Sequence, residues 1–230
     1  MKAGRVLRHS GFRRLWIAQS VSTVGDRVVL VALALLVTDL TGSPSDVGLV
    51  LAAHTAPFVV FLLLGGVWAD RLPRQRLIVA TDLVRFALHA LLAALILTGA
   101  VEIWHIVVIE ACFGTAEAFF RPAYTGLIPQ TVPADEIQEA NALSAASANA
   151  AEFVGPALAT LLVVSVGAGW AFAVDAATFA SAQRWCFWCG RARAARPCSA
   201  RACSASSKWA LPRCARVPGC GSRSACSRSR

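Results

Sequence analysis

The sequence predicts an all-α polytopic membrane protein, and three observations carry that reading. Hydrophobic residues make up 57% of the 230 and charged residues only 15%, which is too apolar for a soluble domain of this size. The apolar residues gather into six runs, at 15–40, 47–69, 77–98, 103–120, 140–166 and 170–182. None alternates with the period of two that a membrane barrel needs, so each span satisfies its own backbone hydrogen bonds as a helix.

Taken in order, residues 1–14 form a basic segment with Lys2, Arg5, Arg8, Arg13 and Arg14. The apolar run that follows is too long for a secretory signal peptide and is interrupted by Asp26 and Arg27. The first five runs reach the roughly 18 residues that a helix needs to cross about 30 Å of hydrocarbon, whereas the sixth is cut short. Arginines crowd the N-terminus and the 70–76 loop, while "TDLTGSPSD" after span one and "TGAVE" after span three have no basic residue. The expected topology is a multi-pass membrane protein with its N-terminus in the cytoplasm.

Charge divides the chain. Residues 1–183 hold eleven basic and thirteen acidic residues, net −2, whereas the last 47 hold eleven basic and no acidic residue. Seven of the eight cysteines fall in the same stretch, leaving Cys112 in span four as a small apolar filler. Residues 183–230 are therefore read as a Cys/Arg/Ser/Ala-rich tail, disordered or translated out of frame from GC-rich DNA. Cys186 and Cys189 form a Cys-x-x-Cys, but no second tight pair and no histidine follows, so no metal site is expected. Basic residues beside a bilayer are instead suited to anionic lipid.

Between spans two and three lies "GGVWADRLPRQRL", residues 65–77. Gly65 and Gly66 allow another helix to pack closely on span two. Asp70 stands where a carboxylate can accept from free amides at a helix start, and Arg71, Arg74 and Arg76 hold the loop on the cytoplasmic side. Gly66, Asp70, Arg71, Arg74 and Arg76 resemble the signature between the second and third helices of the major facilitator superfamily, with Pro73 where glycine is usual and Gln75 where a basic residue is common. "EAFFRPAYTGLIPQTVP" after span four and "NALSAASANAAEFVGPALATLL" in span five resemble its siderophore, macrolide and multidrug exporter branch.

The resemblance covers 12–181 and implies the N-terminal six-helix bundle of a transporter that rocks around a central cavity, with the sixth helix truncated. It implies that Asp70 is a gate residue contacting the opposite half, with Arg74 as its partner one helical turn away. Gly155 and Pro156 resemble the helix-bend motif of antiporters, although Ala159 and Thr160 replace its paired glycines.

Charges inside spans are expensive unless paired or wetted. Asp26, Arg27, Glu117 and Arg121 are candidates for lining the cavity, since spans one and four face it in the resembled family, and Glu152 is a candidate for proton or cation coupling. The competing reading makes Asp26 with Arg27, and Glu117 with Arg121, mutually neutralising pairs. Asp82 and Arg85, three apart, read as a structural pair. His54 and His105 read as packed or interfacial side chains.

No phosphate-binding loop, zinc-binding helix or nucleophile elbow appears, so neither an enzyme nor an ATP-driven pump is expected. The functional expectation is a secondary active transporter exporting drugs or siderophore-like small molecules with protons, here a truncated half that is inactive alone. It needs no cofactor and no nucleic acid. Its partners are a small-molecule substrate, the bilayer, protons, and either a second copy or a missing C-terminal half. The alternatives are a non-transporting membrane interaction protein, and a metal- or redox-sensing membrane protein that uses the cysteine tail.

Overall fold

The computed structural model describes residues 3–180, with the backbone alone at 3 and 67–71. A short α1 (Ala3–Val6) precedes α2 (Ser10–Thr41), α3 (Pro44–Arg71), α4 (Arg74–Leu97), α5 (Ile103–Leu127) and α6 (Ile137–Val166). A further helix, α7, occupies 168–180. Among the described residues there is no strand, and five helices are long and apolar enough to cross a membrane. The expected tail, with its Cys-x-x-Cys, lies outside the described residues.

Helix ends follow local chemistry. α2 stops at Gly42, whose φ of 67° suits a residue without Cβ and lets its amide donate to the Thr38 carbonyl at 2.8 Å. α3 and α4 are joined through Leu72 and Pro73, and the Arg76 amide donates back to the Pro73 carbonyl at 2.8 Å. α5 begins with a reciprocal cap in which the Glu102 amide donates to Nδ1 of His105 at 3.1 Å. That places His105 at a helix end, in the role expected for it. α5 runs to Leu127, past the expected end at 120, because Pro122 is tolerated inside it.

The helices pair as α3 with α5, α2 with α6 and α4 with α5. Small residues set these approaches. A Cβ on Gly65 would strike the backbone of Ala118, and one on Gly114 would strike the His54 carbonyl, so α3 and α5 touch main chain to main chain. Gly66 has open space instead, so the close packing expected of both glycines belongs to Gly65 alone. Gly155 admits the Arg27 Cβ, bringing α6 onto α2.

The apolar core joins Val28, Ala32 and Leu36 of α2 to Leu92 of α4, Ile106 and Ile109 of α5, and Phe172 of α7. A second cluster holds Leu15, Ile78 and Phe120, and a third ties Val6 and Phe12 to Ile128 and Ala140. Outward faces are bare hydrocarbon: Leu63 on α3 is 81% exposed and Phe153 on α6 is 84% exposed. Cys112, expected as a filler, is exposed as well.

Candidate functional site

A cavity of about 400 Å³ lies within the bundle, lined from α2, α3, α4, α5 and α6. Its wall carries the ionisable side chains Asp26, Arg27, His54, Arg85, Glu110 and Glu117, among others.

Arg85 is the centre of one group. Its guanidinium donates to both carboxylate oxygens of Asp26, at 3.1 and 3.2 Å, and lies 3.7 Å from Asp82 one turn back on α4. Only 1% of its side chain is exposed. Three rings surround the cation, with centroids of Phe179, Phe113 and Phe120 at 4.5, 4.8 and 4.9 Å. A planar, weakly hydrated guanidinium suits such a cage better than an ammonium would. Arg85 is therefore more than the partner of Asp82, and its nearer acid is Asp26.

His54 is the centre of a second group. Its Nδ1 lies 3.1 Å from Glu110 and its Nε2 lies 3.1 Å from Glu117. Glu110 and Glu117 are seven apart, two turns of α5, so they present one face to α3. The close contact at Gly114, between them, lets the imidazole reach both. Arg121 completes this group by donating to the other oxygen of Glu117 at 2.8 and 2.9 Å.

A third pair is fully enclosed. His89 Nδ1 meets Asp175 at 2.5 Å, with 1% and 0% of the two side chains exposed. Gly25 makes room for the Asp175 carboxylate, and Thr178 donates to the Asp175 carbonyl at 2.7 Å. His89 stacks on Phe113, with centroids 4.1 Å apart and planes 4° apart, and Phe113 faces His54 at 5.8 Å. Phe113 thus neighbours both histidines.

The structure brings Asp26, Arg27, Glu117 and Arg121 to the cavity wall. It separates Asp26 from Arg27, because neighbours on a helix point about 100° apart: Asp26 turns to α4, and Arg27 pairs with Glu152 of α6 at 3.0 Å. Glu152 lies away from that wall, with 56% of its side chain exposed. The Glu117–Arg121 pair forms as expected from four-residue spacing. Arg74 donates to the Gly126 carbonyl of α5, and Arg76 is exposed in the first turn of α4. The side chains of Asp70 and Arg71 lie outside the described residues. Gly155 and Pro156 sit inside a continuous α6, where the Thr160 hydroxyl donates to the Pro156 carbonyl at 3.0 Å.

Residues that the sequence did not single out are His89, Glu110 and Asp175. His54, expected as a packed or interfacial side chain, packs against Phe113 and also lines the cavity. The acid pair at 110 and 117, on one face of an apolar helix, was the available signal.

A bundle of membrane-length helices around a cavity with paired charges is the architecture of a polytopic membrane protein. The chain belongs to the family described as transmembrane secretion effector, of the major facilitator superfamily, which it matches over residues 4–202. It is similar to the MFS-type transporter YfiS of Bacillus subtilis, 27% identical over 74% of this chain and 40% of the relative. Macrolide efflux protein A of Streptococcus pyogenes is 24% identical over 66% of this chain and 37% of that protein. The multidrug efflux pump Tap of Mycolicibacterium fortuitum is 28% identical over 62% and 36%. The chain spans about two fifths of the length of these relatives.

Proposed function

We propose that this bundle is the N-terminal part of a proton-coupled exporter of drug- or siderophore-like small molecules in the bacterial inner membrane, with its N-terminus cytoplasmic. The observation that carries the reading is the cavity of about 400 Å³, whose wall includes the charged side chains of Asp26, Arg27, Arg85, Glu110, Glu117 and Arg121 on membrane-length helices. Such residues are costly in hydrocarbon and are retained where they serve a transport path. The efflux proteins among the relatives favour export over uptake. In this reading Asp70 and Arg74 serve the gate at the 70–76 loop, and Asp26, Arg27, Glu117 and Arg121 line the route of the substrate.

A second bundle, from another copy or from a separate C-terminal half, then covers the bare faces of α3 and α6 and completes the route. The chain has no transport of its own without it. The test is accumulation of a fluorescent drug and of a macrolide in cells expressing this chain, with and without the C-terminal part of a relative, before and after a protonophore. Lower accumulation that needs the second part and disappears with the protonophore is the expected result. Equal accumulation in every arm would sink the reading.

A further inference from the structure

We propose that His54, Glu110 and Glu117 form a proton-binding site that exchanges at the cavity wall, electrostatically linked to a second, enclosed site at His89 and Asp175. The purpose of the site rests on the transport reading above, but its existence does not.

The argument begins with donors. A neutral imidazole has one N–H, and an ionised carboxylate has none. Both ring nitrogens of His54 nevertheless lie at hydrogen-bond distance from carboxylate oxygens, 3.1 Å to Glu110 and 3.1 Å to Glu117. Two hydrogen bonds therefore require one proton beyond those of a neutral ring and two carboxylates, carried by the ring or by one of the acids.

Charge balance leads to the same place. Among the described residues, the connected groups comprise the acids Asp26, Asp82, Glu110, Glu117 and Asp175, against the permanent cations Arg85 and Arg121. With both histidines neutral and every acid ionised, three negative charges stand uncompensated inside a membrane bundle. Added protons are the small cations that remove them, since burial disfavours the charged form. Arg27 and Glu152 neutralise each other and leave the count unchanged.

Two atoms have unused hydrogen-bonding capacity. Oε1 of Glu110 and Nε2 of His89 are buried without a hydrogen-bond partner, on side chains that are 5% and 1% exposed and that both line the cavity. The charged and titratable groups that share the cavity wall with His54 are Glu110, Glu117, Arg121 and Tyr124 from α5, Arg85 and His89 from α4, and Asp26 and Arg27 from α2, while Asp175 of α7 contacts His89. The cavity-lining residues of α6, Ser144, Ser147 and Ala148, bring no charge. His54 is 27% exposed at the wall and Asp175 is sealed, so His54 is the point of entry.

The sequence holds four histidines, His9, His54, His89 and His105, which makes the site readable by nuclear magnetic resonance of the full chain labelled with ¹⁵N-histidine in lipid nanodiscs. In the wild type, His54 is expected to titrate in more than one step as it shares protons with its neighbours. Glu110→Gln and Glu117→Gln should each move its midpoint by about one pH unit or more. His54→Gln should displace the His89 signal, although the two rings share no hydrogen bond. The signals of His9 and His105 report whether each variant is folded.

A single independent step for His54 in the wild type would overturn the proposal even if every variant misfolds. So would a midpoint unmoved in both folded glutamine variants, or signals that follow sodium at fixed pH. Protonophore-insensitive transport, or none, beside coupled titrations would remove the exporter reading and leave the proton site. Protonophore-sensitive transport beside independent titrations would do the reverse.

Discussion

The Asp26 carboxylate and the Arg85 guanidinium meet at 3.1 Å, tying α2 to α4, two helices with little other backbone contact. Arg85 spans the gap because its long stem lets the charged head rest among the rings of Phe113, Phe120 and Phe179. Removing one partner of such a pair strands the other, which costs far more than the pair contributes. Arg85→Ala should therefore lower stability by about 3–5 kcal/mol, and Asp26→Asn combined with Arg85→Met should recover part of the loss. Unfolding midpoints in detergent for the single and double variants check this, and purely additive effects would count against a direct pair.

Gly114 and Gly66 make a controlled comparison. Gly114→Ala drives a methyl group into the His54 carbonyl, and main chain cannot step aside as a flexible side chain can. A loss of about 1–3 kcal/mol is expected. Gly66→Ala meets open space inside a helix and should be neutral or stabilising by about 0.4–1 kcal/mol. Thermal melts of the two variants, followed by size-exclusion profile, decide it; equal losses would mean that the α3–α5 approach is looser than described.

α7 is docked through Asp175. Asp175→Ala removes the acceptor of His89 and leaves a buried ring nitrogen unpaired, at a cost of about 1.5–3 kcal/mol. Amide exchange across 168–180 should speed up by about ten-fold or more, while exchange in α5 changes less. Uniform acceleration over all helices would show that the pair stabilises the whole bundle rather than this docking.

Arg27 and Glu152 also form an ion pair, at 3.0 Å, but with 33% and 56% of their side chains exposed. Arg27→Gln and Glu152→Gln should each shift stability by less than about 1 kcal/mol. Melting curves that fall as steeply as those of Arg85→Ala would place this pair in the core of the fold instead of at its edge.

The helices were legible because hydrocarbon allows few solutions: apolar runs of spanning length at 15–40 or 77–98 have little choice but to be helical. Their ends moved by a few residues, and by seven at span four, where the helix continues through Pro122 to Leu127. Charge pairs within a helix were equally readable, as Glu117 and Arg121 show. Pairs between helices were not. That Asp26 turns to Arg85 and Arg27 to Glu152 depends on how α2 is rotated against α4 and α6, and a single sequence carries no record of that rotation. The contacts of His54 were illegible for the same reason, since they are made to two glutamates more than fifty residues away.

Phe113, in ring contact with both His54 and His89, bears on how the two are linked. Its ring neither gives nor takes a proton, so no hydrogen-bonded wire runs straight from one imidazole to the other through it. It insulates. In the proposed proton site, a change of charge at His54 would reach the enclosed pair through the field, past this flat plate of carbon. The plate also touches the Arg85 cation, so the same side chain that blocks the wire takes part in setting the voltage.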